Sequence, residues 1–405
     1  MRQISKRHLA DELQATRNQT LSAIDALRED QLLVPYEDTL NPPMWELGHI
    51  AWFQEYWCSR QRHAYRQLKH YPKHLPNPSI QLDADALYDS AKVAHPLRWH
   101  LPLPNLARTK RYCQQTLEQT LLALEKANDS DDDLYFFRLA LFHEKMHVEA
   151  FAYTWQALGY RAGESLESIK RFDVTRPNMA FDATDLPIAQ ETFLMGSLPN
   201  QGFVFDNEKW AHSVTLPHYS IQKYCVTYAE FLTFVIDAGY ERRQFWDSDY
   251  FERLQRENRA MPIYWQLDLA LSATAPLQVW RFGQLQEADL NDPVTHVSYF
   301  EAQAFCKWAG RALPTEAQWE LAANTQPSMV WGGQVCEWTS TPFNPYTGFN
   351  ADPYFEYSEP WFGNHQVVKG SSFATPLGLA KPQFRNFFMP QRNDIFVGFR
   401  TCALP

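Results

Sequence analysis

His143 and His147, in the run HEKMHVEA, are the residues whose type and spacing most plainly suggest chemistry. On a helix, residues four apart leave the same face with Cβ atoms roughly 5–6 Å apart, close enough to grip one ion. Glu149 extends the pattern to H-x3-H-x-E. Spacing alone is weak, because most such pairs are surface or hydrogen-bonded core histidines. The surroundings strengthen it. Phe142, Met146 and Phe151 are apolar neighbours, so burial is expected, and a buried imidazole needs a partner. A third ligand should come from a facing helix. His49 in WELGHIAWF is the candidate, set among Trp45, Leu47, Ile50, Trp52 and Phe53, with Gly48 beside it to let another backbone approach. Three neutral imidazoles leave an ion its positive charge and open positions. Zinc held in this way activates water or a thiol. Iron(II) with three open positions can hold a substrate, a thiolate and O2 together. The spacing does not choose between the two metals.

Such a site needs helices that face one another. Leu9, Leu13, Leu21, Ile24 and Leu27 form an amphipathic stripe within residues 6–33. Pro42-Pro43 can open a second helix through MWELGHIAWFQEYWCSRQ, since proline is tolerated in a first turn. A third helix fits TKRYCQQTLEQTLLALEKAN. Asp131, Asp132 and Asp133 put negative charge at the start of a fourth, which Gly159 can end. Four helices with one long connection over residues 59–106 predict a four-helix bundle, where metal sites are built from facing helices. After Gly163 the texture changes to short segments such as FLMGS, SVTLPHYSIQKYCVT, VTHVSY and VVKGSSFA, with Gly, Pro and Asn between them. Helices are clearest there at residues 228–238 and 299–309. The expected organisation is α+β: a bundle over residues 1–163 carrying the metal ligands, a linker over 164–186, and a second domain over 187–405 that completes the substrate site.

Composition narrows the possible partners. The chain of 405 residues is long enough for two cores. Its formal charge of -10 and lack of a basic run argue against nucleic acid. The six cysteines are scattered without a C-x-x-C pair, which suits reduced thiols and a cytoplasmic setting. The first residues are polar rather than signal-like, and no apolar run is long enough to span a membrane. Aromatic residues make up 15%, ample for a large core and for lining a pocket.

WELGHIAWF and HEKMHVEA resemble the iron-binding segments of the ergothioneine-type sulfoxide synthases, whose amino-terminal domain is a DinB-type four-helix bundle. The second half resembles the formylglycine-generating-enzyme (sulfatase-modifying-factor, C-type-lectin-like) domain that those synthases carry. Its marks run in order: FLMGS, HSVTLPHYSIQKYCVTYAEF, DPVTHVSYFEAQAFCKWAGRALPTEAQWELAA, QVCEWTSTPF, VVKGSSFAT and RNFFMPQRNDIFVGFR. The resemblance implies Fe(II) on His49, His143 and His147, O2 as co-substrate, and a site between the domains. There a sulfur donor is joined to the imidazole of hercynine, Nα-trimethylhistidine. An aromatic cage would suit the trimethylammonium group.

The departures from the family pattern bear on the donor. In relatives that use γ-glutamylcysteine an acidic residue falls in the RN-x-x-x-P-x-R stretch. Here Phe388 takes that place, between Asn386, Phe387 and Arg392, and Met146 stands where a glutamine often precedes the second helical histidine. These features are more similar to the selenoneine-synthase branch, which takes a selenosugar. A tyrosine acts near the iron in the family, and Tyr346, Tyr354 and Tyr357 are its candidate counterparts. Three alternatives stand beside this reading. One is an ergothioneine-type synthase using cysteine or γ-glutamylcysteine. Another is a zinc-dependent DinB-type thiol transferase, which the extra second domain disfavours. The last is a copper oxidase of the formylglycine type, which would need a close pair of reactive cysteines near the end, where only Cys402 lies.

Overall fold

The computed structural model describes residues 4–62, 78–161, 184–200, 202–268 and 276–404. Most of the expected linker, and His63, His70 and His74 of the long connection, lie outside them.

The amino-terminal half is a bundle of α1 (Lys6–Asp25), α2 (Pro43–Gln54), α4 (Leu106–Glu125) and α5 (Asp131–Leu158), with the short α3 (Ala84–Tyr88) in the connection. α1 packs on α4 and α5, and α2 packs on the same two helices. The apolar stripe expected over residues 6–33 is broken: α1 stops at Asp25, and a 3-10 turn follows at Glu29–Leu32. α2 begins with Pro43 in its first turn and runs on as a π-helical stretch over Glu55–Gln61. α5 starts where the Ser130 side chain accepts the Asp133 N–H, with three aspartates in the first turn. It ends at Gly159, whose φ of 65° is the left-handed conformation that glycine adopts without a Cβ penalty.

Gly48 admits not a backbone but a ring. A Cβ at this position would lie 2.2 Å from two atoms of the Tyr88 ring. Gly48→Ala should therefore cost about 2–3 kcal/mol through overpacking, read as a fall in ΔG of unfolding by chemical denaturation. An unchanged midpoint would show that Tyr88 can move aside.

The second half is built on two four-stranded sheets. One has the order β1 (Asp185–Ile188), β4 (Tyr219–Gln222), β13 (Cys402–Ala403), β8 (Arg311–Ala312). The other has the order β11 (Asn386–Phe388), β10 (Gln366–Gly370), β9 (Cys336–Pro342), β12 (Val397–Gly398), the last pair parallel. A hairpin of β2 (Glu191–Met195) and β3 (His212–Leu216) and a three-stranded ribbon of β5 (Trp265–Gln266), β6 (Gln278–Arg281) and β7 (Gln284–Glu287) flank them. The helices are α6 (Tyr228–Ile236), α7 (Ser248–Arg256), α8 (Tyr299–Ala309) and α9 (Glu316–Thr325). VTHVSY is not a strand. Ser298 caps α8 by accepting the Glu301 N–H, and His296 sits at φ 63°, which ends any ladder there.

This irregular half is held by buried ion pairs as well as by apolar packing. Arg400 pairs with Glu337 at 2.5 Å, Arg385 with Glu316 at 2.8 Å and Lys369 with Glu320 at 3.0 Å, all buried. Charges so placed persist only when paired and fully hydrogen-bonded. Glu337 also accepts the Trp319 Nε1–H, so CEWTS is a structural motif here. One apolar cluster joins Trp45, Phe142 and Trp155 of the bundle to Phe203, Phe205, Phe282 and Phe396 of the second domain. The domains therefore share a core, and that shared core surrounds the site. All six cysteines are free and buried, and no helix among the described residues is long and apolar enough to cross a membrane.

Candidate metal centre

α2 and α5 bring His49, His143 and His147 together. One ligand atom from each lies within 4.8 Å of the others, and His143 Nε2 is 3.3 Å from both His49 Nε2 and His147 Nε2. Two nitrogens about 2.0–2.1 Å from one ion and about 90–110° apart would be roughly 3.0–3.4 Å from each other, so the spacing suits a shared ion. Burial pushes the His49 and His143 imidazoles well below their usual range, with further opposition from neighbouring histidines. Both rings are therefore neutral and present lone pairs rather than charge.

The outer nitrogens fix how those lone pairs point. His49 Nδ1 is 2.8 Å from the Tyr88 carbonyl, which can only accept, so Nδ1 carries the proton and Nε2 the lone pair. His147 Nδ1 meets the Glu46 carboxylate at 2.6 Å, which fixes the same tautomer. His143 Nδ1 has no hydrogen-bond partner among the described residues; its ring is held by stacking on Phe53, centroid to centroid 3.5 Å. Trp45 stacks on His49 at 4.9 Å. Sequence reasoning missed Glu46, although a lone acid in the apolar run WELGHIAWF, one helical turn before His49, was a signal. Glu46→Ala should weaken metal binding by about 10–100-fold, measured by chelator competition, and Glu46→Gln by less because the amide oxygen can still accept. Equal affinity in all three proteins would remove Glu46 from the site.

The residues expected around the ion are dispersed differently. The Tyr354 ring lies 6.3 Å from His143 and 4.8 Å from Phe53, and burial raises its hydroxyl, so it stays protonated at neutral pH. The Tyr357 hydroxyl is 3.8 Å from Met146 Sδ, and its ring stacks on Phe205 at 4.5 Å. Tyr346 instead packs inside the second domain, where the Arg385 guanidinium carbon sits 4.1 Å over its ring and His212 lies against its edge. Phe387 stacks on Phe343 at 4.0 Å and faces Tyr357 at 5.8 Å, while the Asn386 side chain accepts the Phe387 N–H. Arg392 is paired through two bonds with Asp394, at 2.5 and 2.6 Å, and lies over Phe388 and Tyr153. Glu149 turns away from the histidines. It accepts from Ser372 at 2.9 Å and Thr375 at 2.6 Å and so ties α5 to the second domain.

Two further charged groups border the site. Arg98 lies 4.0 Å over Trp45 and donates to Asn41 at 2.6 Å, while its Nε has no partner among the described residues. Burial, partly offset by Glu46, brings it down to about 10. Asp206, which interacts electrostatically with Tyr354, accepts from Ser358 at 2.5 Å and is raised to about 6, mainly by burial and then by the charge of Asp352. The folded protein thus binds this proton more tightly than the unfolded chain does. The associated stability is present below pH 4 or so and is lost as pH rises through about 6. Asp206→Asn should accordingly gain roughly 1–3 kcal/mol over the parent near pH 8 and little near pH 4, in denaturant melts at the two pH values. A gain independent of pH would refute this.

Comparison with known proteins supplies the rest. Residues 12–155 match the DinB superfamily, and residues 182–334 and 329–403 match the sulfatase-modifying factor enzyme 1-like domain. A hercynine oxygenase of Mycolicibacterium thermoresistibile is 30% identical over 444 aligned residues, covering 97% of this chain and 94% of that protein. The hercynine oxygenase of Mycolicibacterium smegmatis is 29% identical over 98% of this chain and 99% of its own length. The formylglycine-generating enzyme of Streptomyces coelicolor is 35% identical, but over only 35% of this chain. Spanning both halves of the mycobacterial proteins at this identity, the chain belongs to the hercynine oxygenase family of ergothioneine-type sulfoxide synthases.

Proposed function

We propose that the chain is an iron(II)- and O2-dependent enzyme that joins selenium or sulfur to the imidazole ring of hercynine, and that its donor is a selenosugar, making the carbon–selenium bond of selenoneine. The observation that carries the reading is the convergence of three imidazoles from two facing helices, with His143 Nε2 3.3 Å from the Nε2 atoms of both His49 and His147. In balance, the ring C–H and the donor Se–H (or S–H) bonds are lost. A carbon–chalcogen bond and a chalcogen–oxygen bond form, and the second oxygen atom leaves as water. Bound iron supplies the coordination positions that set the substrate imidazole beside the donor chalcogen and the redox chemistry with O2.

The chain's own residues do the remaining work. His49, His143 and His147 hold the ion, and Glu46 and the Tyr88 carbonyl keep two of the rings in the ligating tautomer. Phe53 and Tyr354 pack beside His143, with Trp57 against both of them, and limit water. Tyr354 holds a proton on its hydroxyl and can give it to a group formed at the reacting atoms. Tyr357 and Phe387 offer aromatic faces to the trimethylammonium group. Arg98, whose positive charge reaches His49, supplies a cation for the substrate carboxylate.

A second reading keeps the same chemistry with a thiol donor, cysteine or γ-glutamylcysteine. It is favoured by the likeness, over nearly the whole chain, to the mycobacterial hercynine oxygenases of the ergothioneine-type family. The test common to both is iron-loaded protein with hercynine, O2 and each donor in turn, products read by mass spectrometry. A zinc-loaded protein with equal turnover would defeat both readings.

A further inference from the structure

Tyr354 and Tyr357 sit on a segment with little structure of its own. Residues 343–365 join β9 to β10, and the helical pieces among them are two short 3-10 turns, Phe355–Tyr357 and Glu359–Trp361. A connection of this length takes a fixed shape only where its side chains are tied down. Here the ties come from one place. The Phe205 ring stacks on Tyr357 at 4.5 Å, Asp206 accepts the Ser358 hydroxyl at 2.5 Å, and Lys209 pairs with Asp352 at 2.6 and 2.7 Å. Residues 205–209 thus grip residues 352–358 at both ends, and Tyr354 lies between the ends.

The gripping piece is itself fixed. Its 3-10 turn, Asp206–Glu208, is buried; Lys381 pairs with Glu208 at 2.7 Å, and Arg385, already paired with Glu316, donates to the Asn207 carbonyl at 2.8 Å. Of the two polar ties, the one between Asp206 and Ser358 is sealed from solvent. Ser358 is 0% exposed and Asp206 2%, whereas the Lys209 and Asp352 side chains are 17% and 18% exposed. A hydrogen bond to a carboxylate is stronger than one between neutral groups, and here water does not compete for it. At the other end Tyr135 of α5 also donates to Asp352, at 2.8 Å, so the segment is bound to the helix that carries His143 and His147. Tyr354 is thereby held with its ring 4.8 Å from Phe53 and 6.3 Å from His143.

We propose that Asp206 is a positioning residue for Tyr354: through the Ser358 hydroxyl it holds residues 352–358 against the metal centre. The catalytic consequence rests on the function proposed above, and the placement of the ring does not. The test uses the full chain with 3-fluorotyrosine at position 354, loaded with cobalt(II), which is paramagnetic, or zinc(II), which is not. Fluorine NMR is read beside turnover of the iron-loaded protein. In the parent, cobalt should shift and broaden the fluorine line relative to zinc. Asp206→Ala and Ser358→Ala should each lose most of that difference, and kcat should fall at least about tenfold while the hercynine KM and metal affinity stay within about twofold of the parent. Asp206→Asn, whose amide oxygen still accepts from Ser358, should recover both readouts. A general loosening of the fold would lower the melting temperature without this pattern. If Asp206→Ala does not fold, Ser358→Ala and Asp206→Asn decide. The proposal is overturned if the parent gives one spectrum with both metals, if the alanine variants keep the parent's fluorine shift or its kcat, or if Asp206→Asn fails as the alanine variants do. A parent with no turnover on any donor would sink the proposed function and leave the fluorine result to judge the positioning.

Discussion

Replacing His143 or His49 with alanine should remove more than about 100-fold of the iron affinity, a larger loss than outer-sphere partners cause. Turnover should fall by roughly a thousandfold, which is about 4 kcal/mol in the transition state. The reason is geometric. His143 Nε2 stands 3.3 Å from each of the other two, so it is the atom through which a shared ion would join α2 to α5. His49 is the one histidine of the three on α2, and without it the remaining pair is a two-ligand site on a single helix. Both rings are buried, so each variant also opens a cavity, and a thermal melt must accompany the metal assay. Glu149→Gln is the useful control. Its partners Ser372 and Thr375 still find an amide oxygen, and the residue is not one of the three clustered ligands, so iron content should stay near that of the parent. If His49→Ala bound iron and turned over normally, the three-histidine centre would be wrong.

What the sequence revealed of this arrangement follows from what periodicity encodes. Pro43 at the start of α2, and Asp131 to Asp133 and Gly159 at the ends of α5, are local signals, and those ends fell where the residues said. The i, i+4 pair on α5 fixed one face of one helix. The order of motifs along the second half identified its domain type, which the family matches bear out. Contacts across long sequence separations left no such trace. Glu46 reaches His147 over 101 residues, and the Tyr88 carbonyl reaches His49 over 39. The lone acid in WELGHIAWF stands out in the sequence, but no one-dimensional pattern says which ring it orients. The same limit applied to the tyrosines: Tyr346, Tyr354 and Tyr357 lie within a dozen residues, yet one stacks under Arg385 and another stands beside His143. VTHVSY misled for a local reason, since His296 turns the chain at positive φ in the middle of its β-branched residues.

Donor choice should favour a selenosugar over both cysteine and γ-glutamylcysteine by at least about tenfold in specificity, only about 1.4 kcal/mol in the transition state. Phe388 and the charge next to it set the preference. A donor with an α-ammonium group needs a carboxylate to meet it, and Phe388 offers a ring instead. Asp394 is close by but is engaged by the Arg392 guanidinium through two short bonds, at 2.5 and 2.6 Å, and that guanidinium lies 5.6 Å over the Phe388 ring. To pair with an incoming ammonium, Asp394 would have to give up Arg392, leaving a buried cation unmatched at a cost of several kcal/mol. A neutral sugar needs no exchange of partners. Its hydroxyls can take bonds from Asn386 or Arg392 while its C–H face lies on Phe388, and its selenol ionises more readily than a thiol at neutral pH. Phe388→Asp should narrow the gap by supplying the missing carboxylate, with the change seen in kcat/KM for γ-glutamylcysteine rather than in iron content. Competition assays with both donors present give the ratio directly. Equal or better use of γ-glutamylcysteine by the unmodified protein would return it to the sulfur branch and leave Phe388 as a packing residue alone.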